Sequence, residues 1–171
     1  MEFTDTEKKK IAHLKTRYPD SRSLTLPVMW MIQKREGFVS DEAVYLIANE
    51  LDIPPIWVEE VRSWYSMFTE EKEGKYVLEV CNNITCAIMG SQDIIDYLCK
   101  TLHIKVGETT PDGMFTIKTA ECLGSCGTAP MMQVDDNYYE LLDKAKIDSI
   151  LDDFRSGKEH KQQQQEFPVY Q

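Results

Sequence analysis

The hydrophobic period of this chain changes once, near residue 70, and that change is the strongest constraint on its fold. Before this point apolar residues recur at intervals of three and four, which is typical of helices facing a core. The segment at 70–74, EEKEG, interrupts the apolar pattern, and short strand-like runs alternate with helical ones after it. We therefore predict an α+β chain with a helical bundle subdomain over residues 1–73 and a second domain over residues 74–156.

Residues that favour helix ends delimit four helices in the first subdomain. Thr4 and Glu7 form a capping box for the first helix, and Pro19 is expected to end it. The other predicted boundaries are a start after Ser23, a stop at Gly37, a cap at Ser40 and a start at Pro54 and Pro55. The last helix carries a wide apolar stripe, which predicts burial in the bundle core for Trp57, Val58, Val61, Trp64, Tyr65 and Phe68.

The second domain mixes strands and helices in the order β-α-β-β-β-α. Strands are predicted over residues 76–80, 114–119, 131–134 and 137–142, and helices over residues 91–102 and around 147–154. This order indicates a small mixed four-stranded sheet with flanking helices. Residues 157–171 include a run of four glutamines without periodicity, so we predict a mobile C-terminal tail there.

Charge and hydropathy exclude several classes of function. The 29 acidic and 19 basic residues give a formal net charge of −10, which argues against binding to nucleic acid, since that needs a basic surface. No apolar run is long enough to span a membrane, and the N-terminus lacks the apolar region of a signal peptide. We expect no direct membrane insertion and a reducing compartment. Disulfides are therefore not expected among the five cysteines.

Four of the five cysteines form two pairs that each follow a predicted strand. Cys81 and Cys86 have the spacing C-x4-C, and Cys122 and Cys126 have the spacing C-x3-C. Cys86 stands immediately before helical sequence, where free amides stabilise a thiolate. Gly124 and Gly127 beside the second pair would let backbone amides approach a compact anionic group closely. Four thiolates with amide donors nearby favour a [2Fe-2S] cluster.

A structural zinc site remains the main alternative for the four paired cysteines, although such sites usually use C-x2-C spacing. A Rieske-type cluster would need two histidine ligands, and the three histidines are isolated from the cysteine loops. Cys99 lies between apolar positions of a predicted helix and is interpreted as a packing residue. No phosphate-binding loop or catalytic triad is visible, so we predict an electron carrier without substrate chemistry of its own.

Three segments resemble, in order and spacing, the E-type subunits of NADH-quinone oxidoreductase, or respiratory complex I. They are SWYSMF at 63–68, KYVLEVCNNITCAIMG at 75–90 and TPDGMFTIKTAECLGSCGTAPMMQVDDNYYELL at 110–142. The resemblance implies a thioredoxin-like [2Fe-2S] domain after the helical subdomain. It also implies that Cys81 and Cys86 hold one iron and Cys122 and Cys126 the other.

The same resemblance implies partners and a place in the cell. The chain would exchange single electrons with FMN on an F-type flavoprotein subunit, which also binds NADH, and would join the remaining peripheral-arm subunits. It would lie on the cytoplasmic side of the inner membrane, attached through the complex. Met89, Met131 and Met132 are candidates for the partner interface, with core packing as the alternative for each.

Two other functions remain open at this point. Related subunits serve NAD-linked hydrogenases and formate dehydrogenases, where this chain would be the equivalent diaphorase-type subunit. The second alternative is a zinc-stapled scaffold protein without redox activity.

Overall fold

The computed structural model describes residues 1–158, and these divide into two compact units. The first spans Met1–Glu73, and the described part of the second runs from Gly74 to Lys158. The predicted mobile tail lies outside the described residues except for Gly157 and Lys158.

Four helices make up the first unit: α1 (Asp5–Lys15), α2 (Thr25–Glu36), α3 (Asp41–Leu51) and α4 (Pro55–Trp64), with a 3-10 turn at Arg22–Leu24. The predicted capping box is present, with the Glu7 N–H donating to Thr4 Oγ1 and the Thr4 N–H to the Glu7 carboxylate. Gly37 ends α2 with a φ of 86°, and Ser40 caps α3 by accepting the Ala43 N–H.

The first helix ends earlier than the sequence predicts. It stops at Lys15 rather than continuing to Pro19, because Thr16 donates hydrogen bonds to the carbonyls of the last turn. The Thr16 hydroxyl and its backbone N–H both donate to the His13 carbonyl, at 2.7 Å and 3.1 Å. Local capping by a hydroxyl therefore ends the helix before proline can.

The apolar stripe of α4 is only partly buried, which corrects the prediction for its C-terminal half. Val58 and Phe68 are buried, but the side chain of Trp64 is 82% exposed and Tyr65 is also exposed. The helix ends at Trp64, and Tyr65 is already extended, so the helical period no longer directs the Tyr65 ring toward the core. Trp64 is still helical but lies on the exposed side of α4. Arg62 is buried instead, donating to the Val39 carbonyl at 3.0 Å and pairing with Asp41.

The second unit is a four-stranded mixed sheet with helices. Its strands are β1 (Tyr76–Cys81), β2 (Phe115–Ala120), β3 (Met132–Val134) and β4 (Asn137–Tyr139), and its helices are α5 (Ile84–Ile88), α6 (Ser91–Leu102) and α7 (Lys144–Arg155). The spatial order is β2-β1-β3-β4. β1 runs parallel to β2 and antiparallel to β3, and β3 pairs with β4 as a hairpin. The predicted α+β class with a mixed four-stranded sheet is confirmed.

Packing against the sheet fixes α6 and α7. Leu98 of α6 and Ile147 and Ile150 of α7 are fully buried in one core with the strand residues. The ring of Phe154 stacks on Tyr76 of β1, with 4.3 Å between ring centroids. Cys99 is half-buried and packs against this core, in agreement with its interpretation as a packing residue.

Candidate metal centre

The parallel pairing of β1 and β2 brings both cysteine segments to the same edge of the sheet. The register places Cys81, the last residue of β1, beside Ala120, the last residue of β2. Cys122 follows two residues later, so both chain segments leave the sheet at neighbouring points. Backbone bonds hold the end of β1 on both sides, from the Cys81 N–H to the Met131 carbonyl and from the Asn82 N–H to the Ala120 carbonyl.

Cys81 and Cys86 form a buried thiol pair. Cys86 lies inside the short helix α5, not before a helix as predicted, because the Asn83 side chain caps α5 by accepting the Ile84 N–H at 2.8 Å. Both thiols are almost completely buried and pack with Ala129, Met131 and the half-buried Leu123. One turn of α5 therefore folds the second cysteine of this pair back against the first.

The pKa values of the two buried thiols are shifted in opposite directions. Burial of the Cys81 thiol opposes ionisation, but hydrogen bonds from the N–H groups of Asn83 and Leu123 and from Cys86 hold its pKa below that of an ordinary cysteine. Burial and the interaction with Cys81 raise the pKa of Cys86 to about 11. The pair thus stabilises a thiolate at Cys81 next to a thiol at Cys86.

The second pair lies on an exposed loop. Cys122 and Cys126 are both solvent-exposed, and Cys126 begins a 3-10 turn, Cys126–Thr128. The Leu123 N–H on the Cys81 sulfur joins this loop to the first pair, and the charge on Cys126 is among the causes that raise the pKa of Cys86. Within residues 1–158, however, no three Cys, His, Asp or Glu side chains are grouped closely enough to hold a metal ion as they stand.

The loop of the second pair contains two glycines, Gly124 and Gly127. Gly124 adopts a φ of 80°, a left-handed conformation that favours glycine. A Cβ at Gly124 or Gly127 would meet no described atom within 4 Å, so no part of the described chain requires glycine there by close approach. Gly124 therefore serves the turn, and the close approach of both glycines to a bound anionic group stays a prediction.

Contacts that sequence reasoning missed hold the loop to β4 and the residues after it. Thr128 Oγ1 donates to Glu140 Oε1 at 2.6 Å, and the Ser125 hydroxyl donates to the same oxygen. The Tyr138 hydroxyl donates to the Leu123 carbonyl at 2.8 Å. No local pattern marks these partners, because they are 12 to 15 residues apart in the chain and meet only through the β3–β4 hairpin.

The donor chemistry of the site fits a [2Fe-2S] cluster. Four free thiols lie on two adjoining loops, and backbone N–H groups of Asn83, Leu123 and Met131 already point at sulfur. Clusters of this kind use cysteine thiolates and hydrogen bonds to sulfur. Of the described histidines, His13 lies on α1 and His103 at the end of α6, so neither belongs to the loops.

Apolar side chains are exposed close in sequence to the cysteines. Ile84 and Ile88, one turn apart on α5, are 70% and 77% exposed, and the neighbouring Met89 is also exposed. Met131 and Met132, in contrast, are fully buried. Of the three methionines considered for the interface, only Met89 lies on the surface, and the other two are core residues.

None of the helices within residues 1–158 combines the length and the apolar character needed to cross a membrane.

Comparisons with known proteins agree with the fold and with the chemistry of the cysteine loops. Residues 11–155 match the sequence profile of the family described as thioredoxin-like [2Fe-2S] ferredoxin. The second E-type subunit of the NADH-quinone oxidoreductase of Rhizobium meliloti is 39% identical, with 90% of this chain and 91% of the relative covered. The subunit 2 of the Thermus thermophilus enzyme is 37% identical over 92% of this chain and 89% of its own length. The E-type subunit of Salmonella typhimurium is 36% identical over 90% and 93%.

Solved structures share the fold. A chain of an NAD+-reducing [NiFe]-hydrogenase superposes with a TM-score of 0.64 at 18% identity, covering 75% of this chain but 23% of the hydrogenase chain. At this identity the likeness shows the fold alone. The profile match and the identities over most of each chain show that the protein belongs to the thioredoxin-like [2Fe-2S] ferredoxin family and, within it, to the E-type subunits of NADH-quinone oxidoreductases.

Proposed function

We propose that this chain is the [2Fe-2S] electron-transfer subunit of the NADH-oxidising module of an NADH-quinone oxidoreductase. One observation carries the proposal. Parallel strands bring the Cys81–Cys86 and Cys122–Cys126 loops to one sheet edge, where the Leu123 N–H bonds to the Cys81 sulfur. A four-thiolate group spanning both loops is the simplest use of that arrangement.

The four cysteines of the site would hold such a group in two pairs. Cys81 and Cys86 would hold one iron and Cys122 and Cys126 the other, and a bound cluster would take up and return single electrons. The N–H groups on the sulfurs of Cys81 and Cys86 offset part of the negative charge of four thiolates. Burial of the first pair keeps water from that side, whereas the exposed second pair leaves the other side open to a partner.

The proposed partner is the flavoprotein subunit that binds FMN and NADH. Electron exchange needs the flavin close to the cysteine loops, and a partner there would cover apolar surface. The exposed Ile84, Ile88 and Met89 supply such surface next to Cys86 in the chain. Assembly with that partner and the other peripheral-arm subunits would attach the chain to the cytoplasmic side of the inner membrane.

The diaphorase-type subunit of an NAD-linked hydrogenase or formate dehydrogenase is the second candidate. Its support is the fold shared with the hydrogenase chain at 18% identity. Relatives at 36–39% identity over about nine-tenths of this chain carry the name NADH-quinone oxidoreductase instead. The complex I assignment therefore has the stronger support. A zinc-stapled scaffold is the third candidate, supported only by the chemistry of four cysteines.

Electron exchange through the partner can be tested with NADH and paramagnetic resonance. The anaerobically purified full chain should give no reduced-cluster signal with NADH alone, because the proposed nicotinamide and flavin sites lie on the partner subunit. Addition of the FMN-loaded flavoprotein subunit should allow NADH to produce the signal. Reduction by NADH without the flavoprotein, or no reduction in its presence, would contradict the proposed division of roles.

A further inference from the structure

Glu140 accepts hydrogen bonds from the hydroxyl groups on both sides of Cys126. Ser125 directly precedes this cysteine, and Thr128 lies two residues after it. Both hydroxyls donate to the same carboxylate oxygen, Glu140 Oε1, and their own oxygens are 2.7 Å apart. The three oxygens therefore form one compact hydrogen-bonded group that spans the 3-10 turn of Cys126.

The carboxylate itself is fixed to the folded sheet. Glu140 directly follows β4 and is half-buried. Its carbonyl accepts the Lys146 ammonium at 2.5 Å, and the next N–H, that of Leu141, donates to the Thr128 carbonyl at 2.8 Å. The two hydroxyl bonds, aided by Lys146, hold the pKa of Glu140 below its usual range, so the group is anionic at neutral pH. A charged acceptor makes these hydrogen bonds stronger than neutral ones.

The turn of Cys126 also has local hydrogen bonds of its own: the N–H and the hydroxyl of Thr128 both donate to the Ser125 carbonyl, at 3.2 Å each. Neither Cys122 nor Cys126 is buried, and the turn between them depends on the left-handed Gly124. The Tyr138 hydroxyl holds the Leu123 end of the loop, whereas Glu140 holds the end that carries Cys126. The two anchors thus act on different halves of the same loop.

We infer that Glu140 is a positioning residue for the ligand loop: through Ser125 and Thr128 it fixes the turn that presents Cys126, and it holds a negative charge against that turn. The inference rests on the proposed function, since it concerns how firmly this loop holds a [2Fe-2S] group. Glu140 acts on the cysteine only through its two hydroxyl partners.

Substitutions at Glu140 separate its two effects. In Glu140→Gln the side-chain oxygen can still accept both hydroxyls, but the charge is lost. In Glu140→Leu both the acceptor oxygen and the charge are lost. We expect an iron chelator to bleach the visible absorption of the full-length holoprotein about tenfold faster in Glu140→Leu, because a hydrogen bond to a charged group contributes about that factor or more. Glu140→Gln keeps a weaker, neutral acceptor, so it should bleach at a rate between those of the wild type and Glu140→Leu, and its midpoint potential should be more positive than that of the wild type.

Two further variants keep the test independent of folding defects and of simple charge effects. The double variant Ser125→Ala with Thr128→Val leaves Glu140 in place and should bleach as fast as Glu140→Leu, with an altered paramagnetic resonance line shape. Glu121→Gln removes one exposed charge beside Cys122 and should change the potential less than Glu140→Gln, because water screens it. Circular dichroism of each protein checks that the fold is retained.

The outcomes distinguish this inference from the proposed function. Wild-type bleaching rates in the double variant, or in a folded Glu140→Leu, would overturn the positioning role while leaving the electron-transfer proposal intact. Equal potential shifts in Glu140→Gln and Glu121→Gln would overturn the role of the fixed charge. A wild-type chain that holds zinc and no iron would overturn both proposals at once.

Discussion

At the scale of single residues, the four paired cysteines differ in what must change when a metal group binds. Hydrogen bonds to its sulfur lower the pKa of Cys81, whereas Cys86, with its pKa raised to about 11 by burial and by Cys81, keeps its proton at pH 7. A metal ion bound there must expel that proton. Cys122 and Cys126 are exposed, so their loop must hold them in place. The buried pair is therefore held in place by the residues around it, and the exposed pair is accessible to a partner.

The fifth cysteine provides a matched control for this assignment. Cys122→Ser should abolish or strongly reduce the visible absorption of the cluster, because a hydroxyl is a poor replacement for a thiolate ligand of iron. Cys99→Ser should keep the full absorption and iron content and cost about 1 kcal/mol in free energy of unfolding, since Cys99 is a half-buried packing residue. Visible spectra, iron analysis and denaturant unfolding measure these effects. Loss of the cluster in Cys99→Ser would show that the ligand assignment is wrong.

At the scale of elements, α4 shows how far helical period predicts burial. Val58 is fully buried, as the stripe predicts, but Trp64, the last residue of α4, is exposed. The core below it is completed by Phe68, which returns through a turn and meets Trp30 edge-on, with 5.5 Å between ring centroids. A tryptophan at the end of an amphipathic helix can therefore remain outside the bundle.

Substitutions on α4 test this difference directly. Trp64→Ala should change the free energy of unfolding by less than about 0.5 kcal/mol, because an exposed side chain loses little packing. Val58→Ala should cost about 2 kcal/mol through lost burial and a new cavity. Urea unfolding of the full-length chain compares the two. A larger loss for Trp64→Ala than for Val58→Ala would mean that the ring is buried after all.

Most helices and strands could be predicted from the sequence, because the caps, turns and hydrophobic periods that mark them involve only neighbouring residues. The predicted helix over 91–102 is found as α6, and β1 extends one residue beyond the predicted 76–80. The sheet order β2-β1-β3-β4 and the short helix α5 could not be predicted in this way, since strand pairing is non-local and α5 owes its start to one asparagine cap. The Glu140 contacts also depend on how the hairpin folds back. Spacing identified the cysteines, but it could not reveal what holds their loops.

At the scale of the whole molecule, two compact units carry different surfaces. The first unit is a helical bundle that exposes Trp64, Tyr45 and Ile56, each at least 60% exposed. The second holds the cysteine loops, with apolar Ile84 and Ile88 close in sequence to Cys86. Scattered exposed apolar residues are normal, but several large ones on each unit suit a component of a larger assembly. The formal charge of −10 disfavours direct binding to anionic lipid.

The most direct test of the central claim is the metal content of the anaerobically purified chain, measured together with its paramagnetic resonance. The electron-transfer account predicts iron and acid-labile sulfide in equal amounts, about two of each per chain, and a signal that appears on one-electron reduction. Stoichiometric zinc in a colourless protein, with no signal after reduction, would contradict it.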